Sequence, residues 1–377
     1  MEITERIKLQ LKDFSKPSNN SLELCSHHPI DKNVFPVPNL LLFLLTYICK
    51  FPHMYRGDKV HWHIEFRYKG KQYAIKHEKF GLRLYSQSDE ELKLAKEVLG
   101  KLKKILGLCE KELLSDFSKE QIHNGNITLI NYFHKLDNQY QYFRERATFE
   151  YSSVTQEEPV VTDQSSIISI LFKQMHEHDN KQRQGQYNAL AMIDSYFSRL
   201  EHLLVLAFPF VSYDRKKDNL IKFVGSIWSD KFRRVININS AQAKIHYDSL
   251  IDIKEKFRNT FAHGGFEKEG QSFYFHLDHI GIIPASMSGI KNSIHFNDFP
   301  IDNDIFKNIC LAFDSFDKYL SIIEIPQAWK YAQSGLHLSL ADTDLEELLK
   351  IVDNEEKYEE WISTQCYRMD QYENVDY

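Results

Sequence analysis

Lys254-Glu255-Lys256-Phe257-Arg258-Asn259-Thr260-Phe261-Ala262-His263-Gly264-Gly265 is the stretch that decides how this chain folds. Upstream of it, Tyr247, Leu250 and Ile253 lead into Phe257 and Phe261 at steps of three and four, the spacing of one buried helix face. The helix this predicts starts near Ser240 and stops at Gly264-Gly265, because a glycine pair past the last apolar position is a C-terminal signal. Arg258, Asn259 and His263 fall on the flank of its last turn, and Asn259 and His263 share a face. Unpaired carbonyls at a helix C-terminus favour a cation by about 0.3–1 kcal/mol, which biases an imidazole there towards its protonated form. Arginine supplies a permanent planar fork for phosphate oxygens. A histidine to move a proton, an arginine to hold a phosphorane and an amide to position one of them are sufficient for RNA transesterification, in which the 2'-hydroxyl attacks the adjacent phosphate.

Working outward, the chain around this stretch reads as helical. Ile167 to His178 is one helix, and Gln184 to Phe208 a longer one with Leu190, Ile193, Phe197, Leu200, Leu203, Leu204 and Ala207 on its apolar face, ended by Pro209. Asp218 or Asn219 caps a third, running to about Arg234. Phe273 to Leu277 reads as a strand paired across a loop with Ser293 to Phe296, and Asp304 to Ile323 as a further helix. Asp342 to Ile351 opens an acidic helical tail. On the long helix Glu201, and seven residues earlier on the same face Asp194, are the acids expected to hold Arg258 or His263 from a neighbouring helix.

Arg258-Asn259, three residues, then His263-Gly264 inside a helical domain resembles the HEPN superfamily (higher eukaryotes and prokaryotes nucleotide-binding), over roughly residues 167–323. The resemblance implies a helical bundle that dimerises around a composite RNA cleft and works without metal or cofactor. It implies Arg258 and His263 as the catalytic pair and Asn259 as their support. It further implies a metal-independent endoribonuclease acting as a toxin or in phage defence, on RNA with tRNA as one option. The alternative it allows is a non-catalytic nucleotide-binding or dimerisation adaptor.

The first 150 residues read differently. Val60 to Tyr68 alternates around His61, His63 and Glu65, Lys69-Gly70 supplies a turn, Gln72 to Lys76 returns as a second strand, and Gly81 to Tyr85 is a third. Ser88 followed by three acids starts a helix on which Leu92, Ala95, Val98, Leu99, Leu102, Ile105 and Leu106 keep helical spacing, and another helix spans Thr128 to Arg146. Leu40 to Cys49 is too short to cross a bilayer and reads as a buried helix entered after Pro36 and Pro38. The fold class expected is therefore mainly α: a HEPN-like helical bundle with a short β-hairpin, preceded by a smaller α+β domain. The divisions expected are 1–150, a polar linker at 151–166, the helical domain at 167–335 and the acidic tail at 336–377.

Composition bounds what this chain does. With 377 residues, 42% hydrophobic and 27% charged, it can bury more than one core. A formal net charge of −6 argues against a general nucleic-acid coat. Arg56 to Arg83 and Asp214 to Arg258 each carry a local excess of five basic residues, whereas Asp342 to Tyr377 has nine more acids than bases. That placement fits an anionic ligand, with the acidic tail expected to mask a basic cleft. Five scattered cysteines, none in a CxxC pair, read as reduced thiols of a cytoplasmic protein. His61 and His63 share a strand face, but no third metal ligand is fixed by the sequence, so no metal site is expected; His27-His28 reads as a solvated loop. No signal peptide and no membrane partner are expected, and the N-terminal domain is the expected place for a protein or phage-derived trigger to act.

Overall fold

The structure, a computed structural model, describes residues 7, 9–17, 26–57, 60–153, 164–211, 213–214, 217–259, 273–279, 281–288, 293–295 and 301–373. The chain divides into two compact units, residues 1–124 with 373–377, and residues 125–372. The division thus falls at Asn124/Gly125 and not in the expected linker at 151–166, of which 154–163 lie outside the described residues. The physical reason is the helix Phe133–Ser152, whose Tyr140, Ala147 and Tyr151 are buried in one core with Ile193 and Phe197.

The first unit is built on an antiparallel six-stranded sheet in the order β1(Phe14–Ser15), β4(Val60–Tyr68), β5(Lys71–Glu78), β6(Gly81–Ser86), β2(Ser26–Pro29), with β3(His53–Gly57) also on β4. The alternation in β4 places Trp62, Ile64, Phe66 and Tyr68 inside. Lys69 and Gly70 both take positive φ, at 49° and 81°, the two-residue turn whose twist suits a hairpin. Asp89–Leu92 (α2) and Ala95–Glu112 (α3) are separate helices where one was expected; Ala95, Val98, Leu99, Leu102, Ile105, Leu106 and Cys109 of α3 are buried, and Ser88 makes no side-chain cap. Tyr68 and Lys69 donate to Glu97 at 2.8 and 2.7 Å, fastening the hairpin to α3. Pro38–Phe43 (α1) runs into a π-helical turn at Leu44–Ile48 and buries Leu41, Leu44 and Leu45. Leu114–His123 is α4. His27-His28 lies in β2, paired with β6, and not in a loop.

The second unit is mainly helical. Thr128–Leu129 is a short strand, β7, paired with β11(Leu338–Ser339), so the expected helix over 128–146 begins only at Phe133 and runs as α5 to Ser152. The two helices expected over 167–178 and 184–208 are one 48-residue helix, α6(Gln164–Val211), with Pro209 inside its last turn. Residues 179–183 are polar but contain no breaker, so nothing stops the helix there. Gly185 of α6 lies against the Tyr151 ring, which is where α5 and α6 approach closely. Buried across the bundle, Arg199 pairs with Asp137 of α5 and with Asp317, and its guanidinium lies 4.6 and 4.8 Å from the Tyr140 and Tyr196 ring centres.

Asn219 caps Leu220–Val224 (α7) through Lys222 N at 3.0 Å, and the helix expected to run on to Arg234 breaks at Gly225 before Trp228–Val235 (α8). Ala241–Ile253 (α9) starts after Ser240 and passes into a π-helical turn at Lys254–Asn259. β8(Phe273–Leu277) pairs with β9(Gly281–Ser288), a strand not foreseen, and it is β9 that pairs with β10(Ser293–His295). Asn303–Tyr319 (α10) is capped by Asp302, whose side chain accepts from Ile305 N at 2.8 Å, and a π-helical turn at Leu320–Glu324 leads to Pro326–Ser334 (α11).

Asp342–Ile351 (α12) and Glu355–Glu373 (α13) complete this unit up to Tyr372. They are no loose mask: Leu348, Val352 and Tyr358 are buried in the core, and Tyr358 donates to Gln327 O at 2.9 Å. Among the described residues no helix is long and apolar enough to cross a membrane.

Candidate anion-binding and catalytic site

Three helical elements of the second unit each turn one face towards a common point. From α6 come Asp194, Phe197 and Glu201, at spacings of three and four. From α8 come Trp228 and Lys231, and from the π-helical turn after α9 come Lys254 and Arg258. The backbone sets this face by burying the opposite one: Ala243, Tyr247, Leu250 and Ile253 of α9, and Phe257 of the turn, enter the core, with Tyr247 against Trp228 and Phe232 at 5.7 and 5.0 Å. A π-helical turn inserts a residue into the helical register and recurs at functional sites. Here it carries the two cations Lys254 and Arg258.

The polar contacts are specific. Arg258 Nε donates to Asp194 Oδ1 at 2.7 Å, and its Nη1 stands 3.9 Å from Glu201 Oε1. Lys231, only 6% exposed, donates from Nζ to the other oxygen of Glu201 at 3.1 Å. Glu201 therefore bridges the buried lysine and the arginine. Arg258 and Lys254 both lie over Phe197, at 5.6 and 5.7 Å from its ring centre, and Lys254 also over Trp228 at 5.0 Å. Among the described residues the Lys254 ammonium has no ion pair and no hydrogen bond. Burial against the two rings, reinforced by repulsion from Arg258, pushes this ammonium down to about 8, against the pull of Glu201 and Asp194.

Of the residues predicted from sequence, Arg258, Asp194 and Glu201 come together, and Asp194 makes the closer contact with the guanidinium although Glu201 is the acid the sequence put first. Asn259 is placed only by its backbone, as the last residue of the π-helical turn, while His263 lies outside the described residues, as do Phe261 and Gly264-Gly265. Lys231 and Lys254 were missed by sequence reasoning. Lys254 had one available signal, its position four residues before Arg258 on the same helix side; Lys231 had none, since its partner is thirty residues away. His202, next to Glu201, faces elsewhere: its Nε2 accepts from Tyr132 N at 2.9 Å, and burial holds its imidazole below the usual histidine range.

In the first unit, His63 approaches Glu65 at 3.7 Å, and the His61 and His77 rings lie 4.9 Å apart in a tilted arrangement. Among the described residues no group of three or more His, Cys, Asp or Glu side chains is placed to hold a metal ion. No family model, curated protein or solved structure matches this chain.

Proposed function

We propose that this protein is a metal-independent endoribonuclease of the HEPN type, with Arg258 and His263 as the catalytic pair and Asn259 in support. The observation that carries the reading is the arginine itself: Arg258 stands in the π-helical turn, oriented through Nε by Asp194 at 2.7 Å, with Lys254 and Lys231 in the same cluster. Held through Nε, with Nη1 no nearer than 3.9 Å to Glu201, the guanidinium can still turn its terminal nitrogens to a phosphate. In the reaction the ribose 2'-oxygen attacks phosphorus as its proton is removed, the bond from phosphorus to the 5'-oxygen breaks, and that oxygen takes up a proton. The products are a 2',3'-cyclic phosphate and a 5'-hydroxyl end. His263 serves one of the two proton transfers and Arg258 stabilises the charge on the phosphorane. Two copies of the chain would face their motifs across one cleft, the RNA being tRNA or another cellular RNA, in a toxin or phage-defence setting with a trigger acting through the first unit.

The second reading is a non-catalytic nucleotide-binding or dimerisation adaptor. It is favoured by one contact: Asp194 already partners Arg258, so an entering phosphate shares the guanidinium with a carboxylate. Expression in a bacterial host separates the two. Growth arrest by wild type that is lost in both Arg258→Ala and His263→Ala is the outcome expected of the nuclease. Equal growth with all three proteins, each soluble and folded, moves the adaptor ahead.

A further inference from the structure

Of the three cations at this site, two have their partners. Lys231 is paired with Glu201, and Arg258 gives its Nε to Asp194. Among the described residues Lys254 has none: its ammonium lies on the faces of Phe197 and Trp228, and Asp194 and Glu201 act on it only from beyond ion-pair distance. Ring quadrupoles replace part of the hydration an ammonium gives up on burial, and an anion would replace the rest. The charged groups facing Lys254 are Asp194 and Glu201 from α6, Lys231 from α8, and Arg258 from its own turn. Counting Lys254 itself, cations outnumber carboxylates by one among the described residues of this cluster, so a single extra negative charge balances them. Lys254 and Arg258 stand over the same ring and are near enough for Arg258 to repel the Lys254 ammonium.

We infer that Lys254 is a second phosphate-binding residue of the site, holding a backbone phosphate of single-stranded RNA beside Arg258. The inference rests on the nuclease reading for the identity of the anion as RNA. Phe197 and Trp228 are buried and occupied by the cations, so they offer no face for a base to stack on. Contact here is therefore with phosphate alone, which fixes position and carries no base sequence.

The probe is a fluorescein-labelled 2'-O-methyl RNA oligonucleotide, which lacks the attacking hydroxyl, titrated with the full-length protein at several salt concentrations. Lys254→Met keeps the stem and removes the charge; Lys254→Arg keeps a charge. The expectation is about tenfold or greater weakening for Lys254→Met, with the slope of log Kd against log salt shallower by about 0.7, the loss of one single-strand phosphate contact. Lys254→Arg recovers most of both, and changing the base sequence of the probe alters neither difference. Binding by Lys254→Met that equals wild type, with the same salt slope, overturns the inference and leaves the nuclease reading standing. Tight, Lys254-dependent binding by a protein that never cuts natural RNA supports the inference and removes the nuclease reading. No binding by wild type overturns both.

Discussion

Arg258 and Lys254 sit one turn apart and carry opposite consequences for stability. Arg258 is 25% exposed and Asp194 62% exposed, so their ion pair contributes on the order of 0.5 kcal/mol or less. Its role is orientation. Asp194→Asn is expected to slow RNA cleavage about tenfold, as misplacement of one transition-state contact does, while moving Tm by no more than about 2 °C; Asp194→Glu restores part of the rate. A large drop in Tm with unchanged cleavage would show the pair to be structural. Lys254 works the other way. Its proton affinity falls from the usual 10.5 to about 8 on folding. The unfolded chain therefore binds more protons than the folded one between those values, so stability rises with pH across that window. Below pH 8 the charged ammonium is a full cost, and above 10.5 the cost has gone. Lys254→Met is expected to raise Tm by about 2–4 °C at pH 7, a gain that shrinks towards pH 10. A lower Tm at pH 7 contradicts this. A group that costs stability where it stands over aromatic rings beside Arg258 is what a binding role leaves behind.

At the scale of the elements, what was legible and what was not divide along physical lines. The β4–β5 hairpin could be read because alternation and the Lys69-Gly70 turn are local signals, and α3 because its apolar positions recur at helical spacing. Asn219 and Asp302 cap as short polar side chains before an apolar run do, although the sequence pattern opens the helix after Asp302 one residue late. The continuity of α6 was hidden because a polar stretch looks like a loop when a helix merely passes through solvent there. β9 was hidden by Gly281 and Pro284, yet its pairing tolerates both: Pro284 lies opposite Tyr274 of β8, beyond the end of the β10 pairing at Ser286. The three π-helical turns among the described residues have no sequence signature at all, and one of them carries Arg258. The acids of the candidate site could be read because helical spacing put Asp194 and Glu201 on one face. The lysine partnership could not, because it joins α8 to α6 through the fold alone. One close approach makes a test of the α5–α6 packing. A Cβ on Gly185 would stand 2.8 Å from the Tyr151 ring, and that ring cannot swing away because its hydroxyl donates to Ile301 O at 2.5 Å. Alanine normally favours a helix over glycine by about 1 kcal/mol, but overpacking costs about 1–3 kcal/mol. Gly185→Ala is therefore expected to lower Tm, and a rise would show that the two helices can part.

For the molecule as a whole, the acidic C-terminal segment is a structural part of the second unit. Leu348, Val352 and Tyr358 are buried, Lys330 pairs with Glu355 and Glu359 at 3.4 and 2.5 Å, and Trp361 lies near Tyr331. Losing one large buried apolar side chain costs about 2–5 kcal/mol, and whole domains are stable by only about 5–15 kcal/mol. Ending the chain at Ala341 is thus expected to yield insoluble or unfolded protein, read by solubility and circular dichroism. A soluble, helical and more active truncation would restore the tail as an inhibitory mask.

The central claim is that Arg258 and His263 perform transesterification, and a chimeric oligonucleotide tests it most directly. A DNA strand with a single internal ribonucleotide, incubated in EDTA with wild type, Arg258→Ala and His263→Ala, isolates the 2'-hydroxyl as nucleophile. The account predicts one cut, directly 3' of the ribonucleotide, leaving a 2',3'-cyclic phosphate, by wild type alone. Cutting at deoxyribonucleotides, equal cutting by His263→Ala, or an intact strand alongside intact cellular RNA would contradict it.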